Sequence, residues 1–415
     1  MEILEQIAGV LIVLTTVLMC YQFFYLFIPI LFRRKLPKAT KNLRYAVLIA
    51  ARNEELVIPH LLESIHNQDY PTDLIDIYVV ADNCTDNTAA VAEAHGATVF
   101  QRFNKQFVGK GYALQYLLQQ IQLRKGWESY DAFMIFDADN LLAPNYFSQI
   151  NVMPNAGFEA FCGYRNTKNY GDNWITSGYG LWYMHESTHM NRSRMVLGSG
   201  CAVNGTGFGF TSRLLEQLGG WNFFTLTEDL EFNNWCAIHN VKIGYCHSAM
   251  VYDEQPLAFS QSWKQRTRWA QGGFQVSIKY GTKLLRNLFS GGWRTYTSAE
   301  LFTLSFWGYA LMVLTGLVTS ICTFGQLAPV HWPVALLLAL GGSYGGMFLM
   351  GLWTLILEWK NICASTWQKI FSVFTFPLFM MTYIPIGLTA LLRKFQWEPI
   401  AHTVAISSKE LAEKK

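Results

Sequence analysis

Apolar and polar positions follow three different patterns along the chain, and the changes between them divide it. From Ile7 to Phe32 no side chain is charged. A helix needs about 20 apolar residues to cross a hydrocarbon layer, so this run predicts a transmembrane helix. Between about Arg33 and Arg294 the composition is mixed. Within that stretch Tyr45 to Ala51, Ile75 to Asp82 and Ala132 to Asp139 are short apolar runs bounded by polar or turn residues, the pattern of buried parallel strands. Helical patterns separate them, over Glu54 to His66, Thr85 to His95 and Lys110 to Leu123, where Leu114, Leu117, Leu118 and Ile121 share one face. Strands alternating with helices predict an α/β sheet that binds its ligand at the carboxyl ends of the strands. Beyond it a long polar and aromatic helix is expected near Trp174 to Met195, and a glycine-rich strand over Asn204 to Phe210.

The last third is again apolar. Leu301 to Leu357 carries no Asp, Glu, Lys or Arg, and the polar break from Gln326 to Trp332 divides it into two spans. A third span runs from Ile370 to Leu392, interrupted by Pro377 and Pro385, which permits a kinked or re-entrant course. Ahead of these, Lys283 to Phe289 with Trp293 and Arg294 alternates basic and apolar faces, as an amphipathic interface helix does. The predicted organisation is a transmembrane helix over 1–32, an α/β domain over 33–280, an interface helix over 281–296, three spans over 297–392 and a tail over 393–415.

Composition supports this division: 51% hydrophobic with only 15% charged residues is an excess that needs lipid. The first helix is followed by Arg33, Arg34, Lys35, Lys38, Lys41 and Arg44. By the positive-inside rule the central domain faces the cytoplasm and the N-terminus lies outside. The start Met1-Glu2-Ile3-Leu4-Glu5 lacks the basic leader of a cleaved signal peptide, and the apolar run is too long for one. One span before the domain and three after it put the C-terminus outside, whereas the slightly basic tail favours the cytoplasm. A net charge of +3 tied to membrane flanks excludes nucleic-acid binding. The eight cysteines are scattered, without a CxxC pair or zinc spacing, and read as reduced packing residues.

Three clusters could carry chemistry. Asp137-Ala138-Asp139 ends an apolar strand, where two carboxylates suit a hard divalent cation, Mg²⁺ or Mn²⁺; the plainer alternative is one helix-capping and one solvated aspartate. Thr227-Glu228-Asp229 precedes an apolar helical pattern. It is either a threonine cap with acids in the first turn or a carboxylate held as a general base. Gln265-Arg266-Thr267-Arg268-Trp269 offers a guanidinium for diphosphate and a flat ring for a sugar, or an interfacial anchor.

Taken in order, the Arg52-Asn53-Glu54 turn, Asp82 after the second strand, the DxD triplet, Thr227-Glu228-Asp229, the QxxRW set and the later spans resemble the processive family 2 glycosyltransferases. That family includes cellulose, chitin, hyaluronan, poly-N-acetylglucosamine and exopolysaccharide synthases. The resemblance covers about Tyr45 to Gln275 and the spans after it. It implies a GT-A fold, a Rossmann-like domain for a UDP-sugar, and inversion at the anomeric carbon. It further implies a multi-pass cell-membrane protein whose acceptor is a growing polysaccharide or oligosaccharide, with membrane lipid and export or oligomeric subunits as partners.

By position, Ala51, Glu54, Asp82 and Lys110 would hold the nucleotide. Asp139 would be the principal metal ligand, with Asp137 contributing to the metal and the nucleotide. Asp229, flanked by Glu228, would be the base, and Gln265, Arg268 and Trp269 would hold the diphosphate and the acceptor end. Where cellulose synthases have a Phe-Cys-Gly-type loop, this chain has Val203-Asn204-Gly205-Thr206-Gly207, which argues against cellulose as product. Two other readings follow from the same pattern. One is an enzyme that glycosylates a membrane lipid once; the other is an inactive export partner, which should have lost a carboxylate, yet all are present.

Overall fold

The computed structural model describes residues 2–326, 332–392, 402 and 404–413. Eight strands form one sheet: β1 (Tyr45–Ala51), β2 (Ile75–Asp82), β3 (Thr98–Arg102), β4 (Ala132–Asp137), β5 (Leu141–Leu142), β6 (Ala160–Thr167), β7 (Phe208–Thr211) and β8 (Ile243–Asp253). Their order is β3-β2-β1-β4-β7-β6-β8-β5. The first four pair in parallel. β7 lies antiparallel to β4 and β6, β6 runs parallel to β8, and β5 closes the edge antiparallel to β8. The three apolar runs are thus the centre of a parallel half-sheet, and β1 and β4 are buried along nearly their whole length because both faces are covered. β3, which the sequence pattern did not single out, is partly exposed at the edge.

Among the helices, α1 (Glu2–Tyr25) is the first apolar run, and a short turn Ile28–Leu31 with Pro29 in its first positions extends it. α2 (Lys110–Arg124) buries Leu114, Leu117, Leu118 and Ile121 against the parallel half-sheet. Its first turn touches the loop at Phe223 so closely that a Cβ on Gly111 would stand 2.1 Å from the Phe223 carbonyl oxygen. Gly111→Ala should therefore destabilise the domain by about 1–3 kcal/mol. The control is Gly273→Ala, where nothing lies within 4 Å, and detergent melting curves should separate the two. Equal melting temperatures would show that the loop yields.

The expected helix from Trp174 to Met195 is α3 (Trp174–His185), a wider i→i+5 turn over Glu186–Asn191, and a last helical segment Arg192–Leu197. Asn173 starts it with a reciprocal capping box to Thr176, and Gly198 at φ 75° ends it. The expected strand from Asn204 shrinks to β7, because Gly205 (φ 78°) and Gly207 (φ 62°) take the left-handed region and make Asn204–Gly207 a loop. The helix expected at Glu54 begins at Ile58, after a turn through Asn53 at φ 58°.

After α4 (Glu228–Ile238) and β8, α5 (Phe259–Asn287) runs unbroken for 29 residues. The separate interface helix expected over 281–296 is not seen. Its first half belongs to α5 and its second to α6 (Gly292–Thr303), because the first helix breaker in the region is the pair Gly291 and Gly292, both at positive φ. Next come α7 (Phe306–Gln326), α8 (Trp332–Glu358), α9 (Thr366–Met381) and α10 (Tyr383–Leu392). Among the described residues three helical stretches are long and apolar enough to cross a membrane, Glu2–Leu31, Leu336–Glu358 and Thr366–Leu392; the α6–α7 pair, bent by 60°, makes up to four. The interior of the Gln326 to Trp332 break and residues 393–401 of the tail lie outside the described residues.

Buried polar contacts fasten these helices to the sheet domain. Glu300 of α6 accepts from Arg194 Nε at 2.5 Å and from the Tyr25 hydroxyl. Glu358, at the end of α8, accepts from Tyr164 Oη at 2.8 Å and Asn361 Nδ2 at 2.7 Å. Arg266 of α5 is fully buried; its Nη1 donates to Thr382 Oγ1 at 2.7 Å, and its guanidinium lies 4.4 Å from the Phe379 ring and 4.9 Å from that of Tyr383. It clamps α5 to the α9–α10 elbow. The C-terminal segment returns to the sheet domain, where Val404 N–H donates to Glu254 at 3.1 Å and Leu411 packs with Leu141 and Tyr252.

Candidate active site

The carboxyl ends of β1, β2 and β4 open onto one cleft of about 390 Å³, within the range of a small-molecule site. Sequence-local chemistry shapes its rim. Asn53 and Asn83 both take left-handed φ, which asparagine tolerates better than most residues. Asn53 Oδ1 accepts from Thr85 N–H at 2.8 Å, and Asn83 Oδ1 accepts from Asn104 N–H at 2.8 Å. Glu54 N–H donates to Thr88 Oγ1 at 2.8 Å. Asp82, at the end of β2, pairs with Arg102 of neighbouring β3 at 2.5 Å, both side chains buried.

The DxD turn is held from two sides. Asp137 N–H donates to Asn140 Oδ1 at 3.1 Å and to Thr206 Oγ1 at 3.0 Å. The Asp137 carboxylate accepts from Lys110 Nζ at 2.5 Å, and Lys110 also donates to the Gly205 carbonyl at 2.7 Å. Burial works against the Lys110 ammonium, but Asp137, Glu228 and Asp229 outweigh it and hold its pKa above the ordinary value. Asp139 is buried and accepts from Glu254 N–H at 2.8 Å. Burial alone would raise its pKa, yet His402, Lys168 and that N–H bring it below the usual carboxylate value.

The Thr227-Glu228-Asp229 turn faces this floor. Thr227 occupies the N-cap position of α4 without a side-chain cap bond, and Glu228, Asp229 and Glu231 lie in the first turn, so the plainer alternative holds for the acids but not for the threonine hydroxyl. Glu231, fully buried one turn on, accepts from Phe224 N–H and Thr225 N–H, each at 3.0 Å, and so holds the loop ahead of the acids. A Cβ on Gly272 of α5 would meet the Thr227 side chain at 2.5 Å, so α5 packs directly behind the turn. Burial raises both acids, Asp229 above its usual value and Glu228 to about 7.

The QxxRW set lies on the cleft face of α5. Gln265 Oε1 accepts from Tyr179 Oη at 3.0 Å, and the Trp269 ring meets that of Tyr179 edge to face at 5.9 Å. Arg268 has no carboxylate partner among the described residues, and its buried Nε makes no hydrogen bond there, which leaves a guanidinium available to phosphate oxygens.

All the residues singled out from sequence line the same cleft: Ala51, Glu54, Asp82, Lys110, Asp137, Asp139, Glu228, Asp229, Gln265, Arg268 and Trp269. Others were not foreseen. Arg165 donates to Asp253 and, at 2.6 Å, to the Asn204 carbonyl. Lys168 reaches the Asp139 carbonyl at 2.9 Å and the Glu254 carboxylate at 3.2 Å. Glu186 and His402 complete the wall. Asp253 and Glu254 end β8 much as Asp137 ends β4, so the acidic strand-end rule could have found them. Nothing in the sequence pattern marks His402, whose Nδ1 lies 2.8 Å from Glu54; burial opposes its charge, but Asp139 and Glu54 lift its pKa to about 10.

No set of three or more His, Cys, Asp and Glu among the described residues could hold a metal by itself. Asp137 and Asp139, which both line the cleft, fit Mg²⁺ or Mn²⁺ by donor type, since these ions commonly take one or two carboxylates and complete their shell with substrate phosphates and water.

Comparison with known proteins agrees with this architecture. A mannosyltransferase from Pyrobaculum calidifontis, solved in complex with GDP-Man and Mn²⁺, superposes on 92% of this chain and 98% of that one, with a TM-score of 0.57 and 17% identity, a likeness of fold. The beta-monoglucosyldiacylglycerol synthase of Synechocystis is 29% identical over 240 residues, 56% of this chain, which spans about half (48%) of that protein. The poly-beta-1,6-N-acetyl-D-glucosamine synthase of Staphylococcus epidermidis is 26% identical over 345 residues, 82% of this chain and 71% of that one. Residues 43–272 match the sequence profile of the Glycosyltransferase like family 2; with its α/β GT-A domain and flanking apolar helices, the chain belongs to that family.

Proposed function

We propose that the protein transfers a hexose or N-acetylhexosamine from a UDP-sugar, with inversion, to the end of a growing polysaccharide at the cytoplasmic face of the cell membrane. The observation that carries this reading is the placement of Asp229, Asp137, Lys110 and Arg268 around one cleft. Ala51, Glu54 and Asp82 line its nucleotide end. Arg268 and Lys110 neutralise charge on the departing diphosphate. A divalent cation held by Asp139 and Asp137 would supply further neutralisation there. Asp229 takes the proton of the acceptor hydroxyl, whose oxygen displaces UDP from the opposite face of the sugar. A single base without a protein nucleophile fits inversion.

Two observations bear on the acceptor. Similarity to the Staphylococcus polymer synthase continues through 82% of the chain, beyond the sheet domain. The cleft wall nearest the membrane helices is aromatic, with Trp182, Tyr183, Trp269 and Tyr383, rings that suit a saccharide chain. The greater identity to the Synechocystis enzyme, confined to 56% of the chain, favours a single transfer to lipid instead. The basic flank from Arg33 to Arg44 supports the cytoplasmic placement. Purified protein incubated with labelled UDP-glucose or UDP-N-acetylglucosamine should give long polymer on gel filtration. A glycolipid bearing one sugar would replace the polymer reading, and the absence of UDP release from either would overturn the donor assignment.

A further inference from the structure

Glu186 has no role in the steps above, yet its position is unusual. It opens the i→i+5 turn Glu186–Asn191 that interrupts an otherwise regular helical run, a distortion that recurs at functional sites. Trp182 and Tyr183 lie four and three residues before it and therefore share its helix face; all three line the cleft. Glu186 Oε2 accepts from Asn204 Nδ2 at 3.0 Å, while Oε1 makes no hydrogen bond among the described residues. Asn204 leads into Gly205, where a Cβ would stand 3.7 Å from Asp229 Oδ2. The Asn204–Gly205 segment thus touches Glu186 through the Asn204 side chain and approaches Asp229 at Gly205. Burial, with Asp229 adding to it against Arg194 and Arg165, lifts the Glu186 carboxyl to about 7.

We propose that Glu186 binds the acceptor: its free carboxylate oxygen takes a hydrogen bond from a hydroxyl near the one that Asp229 deprotonates, while Trp182 flanks the sugar ring and Tyr183, covered by Arg165 at 3.8 Å, backs the site. The assignment rests on the reading of Asp229 as base and makes that reading more specific. A hexose carries further hydroxyls within one or two carbons of the attacked one, the C4 hydroxyl standing two carbons from a C6 hydroxyl; diacylglycerol, with one free hydroxyl, has none. Glu186 therefore selects a saccharide acceptor.

The test uses the full chain in vesicles with saturating UDP-sugar and either a β-1,6-linked N-acetylglucosamine tetramer or diacylglycerol as acceptor. Glu186→Ala should raise the KM for the tetramer by about tenfold or more, the worth of a hydrogen bond to a charged group, while UDP affinity by calorimetry stays within about twofold. Glu186→Gln, which keeps an acceptor oxygen, should recover part of the loss. An unchanged tetramer KM, a parallel loss of UDP affinity, or turnover with diacylglycerol alone would each overturn the proposal. Asp229→Asn in the same assay reports separately on the base, since its retained turnover would remove that reading whatever Glu186 does.

Discussion

Asp229→Asn is expected to lower kcat by about 10³-fold while leaving UDP binding intact, the range lost with a general base. The substitution preserves shape, and the turn that presents residue 229 is held by contacts it does not touch: Glu231 on the Phe224 and Thr225 amides, Gln275 on the Leu226 amide at 3.1 Å, and Gly272 against Thr227. Only the proton-accepting oxygen is lost. The same burial that shapes the turn raises the pKa of Asp229. Because the base works ionised, the wild-type rate should fall with acid at a pH where exposed carboxylates are still charged, and the variant's residual rate should lack that limb. Retained turnover with an unchanged pH profile would move the base elsewhere in the cleft.

Arg102→Met should destabilise the sheet domain by about 3 kcal/mol, the lower end for stranding one member of a buried ion pair. The guanidinium lies 2.5 Å from Asp82, each side chain is 8% exposed, and Arg102 also donates to the Phe107 carbonyl at 2.7 Å. Asp82 keeps a contact from Asn83 Nδ2 at 3.1 Å, which is why the lower end applies. Burial already raises the pKa of Asp82 against the pull of Arg102; without Arg102 it should rise further, and the carboxyl should be a weaker acceptor for the nucleotide proposed to bind there. Melting temperature and UDP affinity should fall together, and Asp82→Asn in the same chain should restore the first but not the second. A variant that melts and binds UDP like wild type would show that the pair contributes to neither.

Much of this was legible in the sequence because several candidate site residues are also strand terminators. A doubly covered strand reads as an unbroken apolar run, and the polar group that ends it marks the sheet edge where ligands sit; Asp82 and Asp137 were visible for that reason. In the far half the Thr227-Glu228-Asp229 and QxxRW sets were legible, but three features were not. Gly205 and Gly207 read as strand residues because their left-handed backbone turns without breaking the apolar pattern. Glu186 read as one more polar residue on a helix because a wide turn has no compositional mark. His402 comes 348 residues after its partner Glu54, a separation over which periodicity carries no information.

Arg266 sits in the middle of the QxxRW set and does something different from its neighbours. Held to Thr382 and enclosed by the Phe379 and Tyr383 rings, it makes α5 and the α9–α10 elbow one rigid piece. Arg268 and Trp269 ride on that piece, and so does the packing behind Thr227. A tilt of the elbow would therefore carry the Arg268 guanidinium with it, and turnover is expected to track the acyl-chain length of the host bilayer even when soluble substrates are saturating.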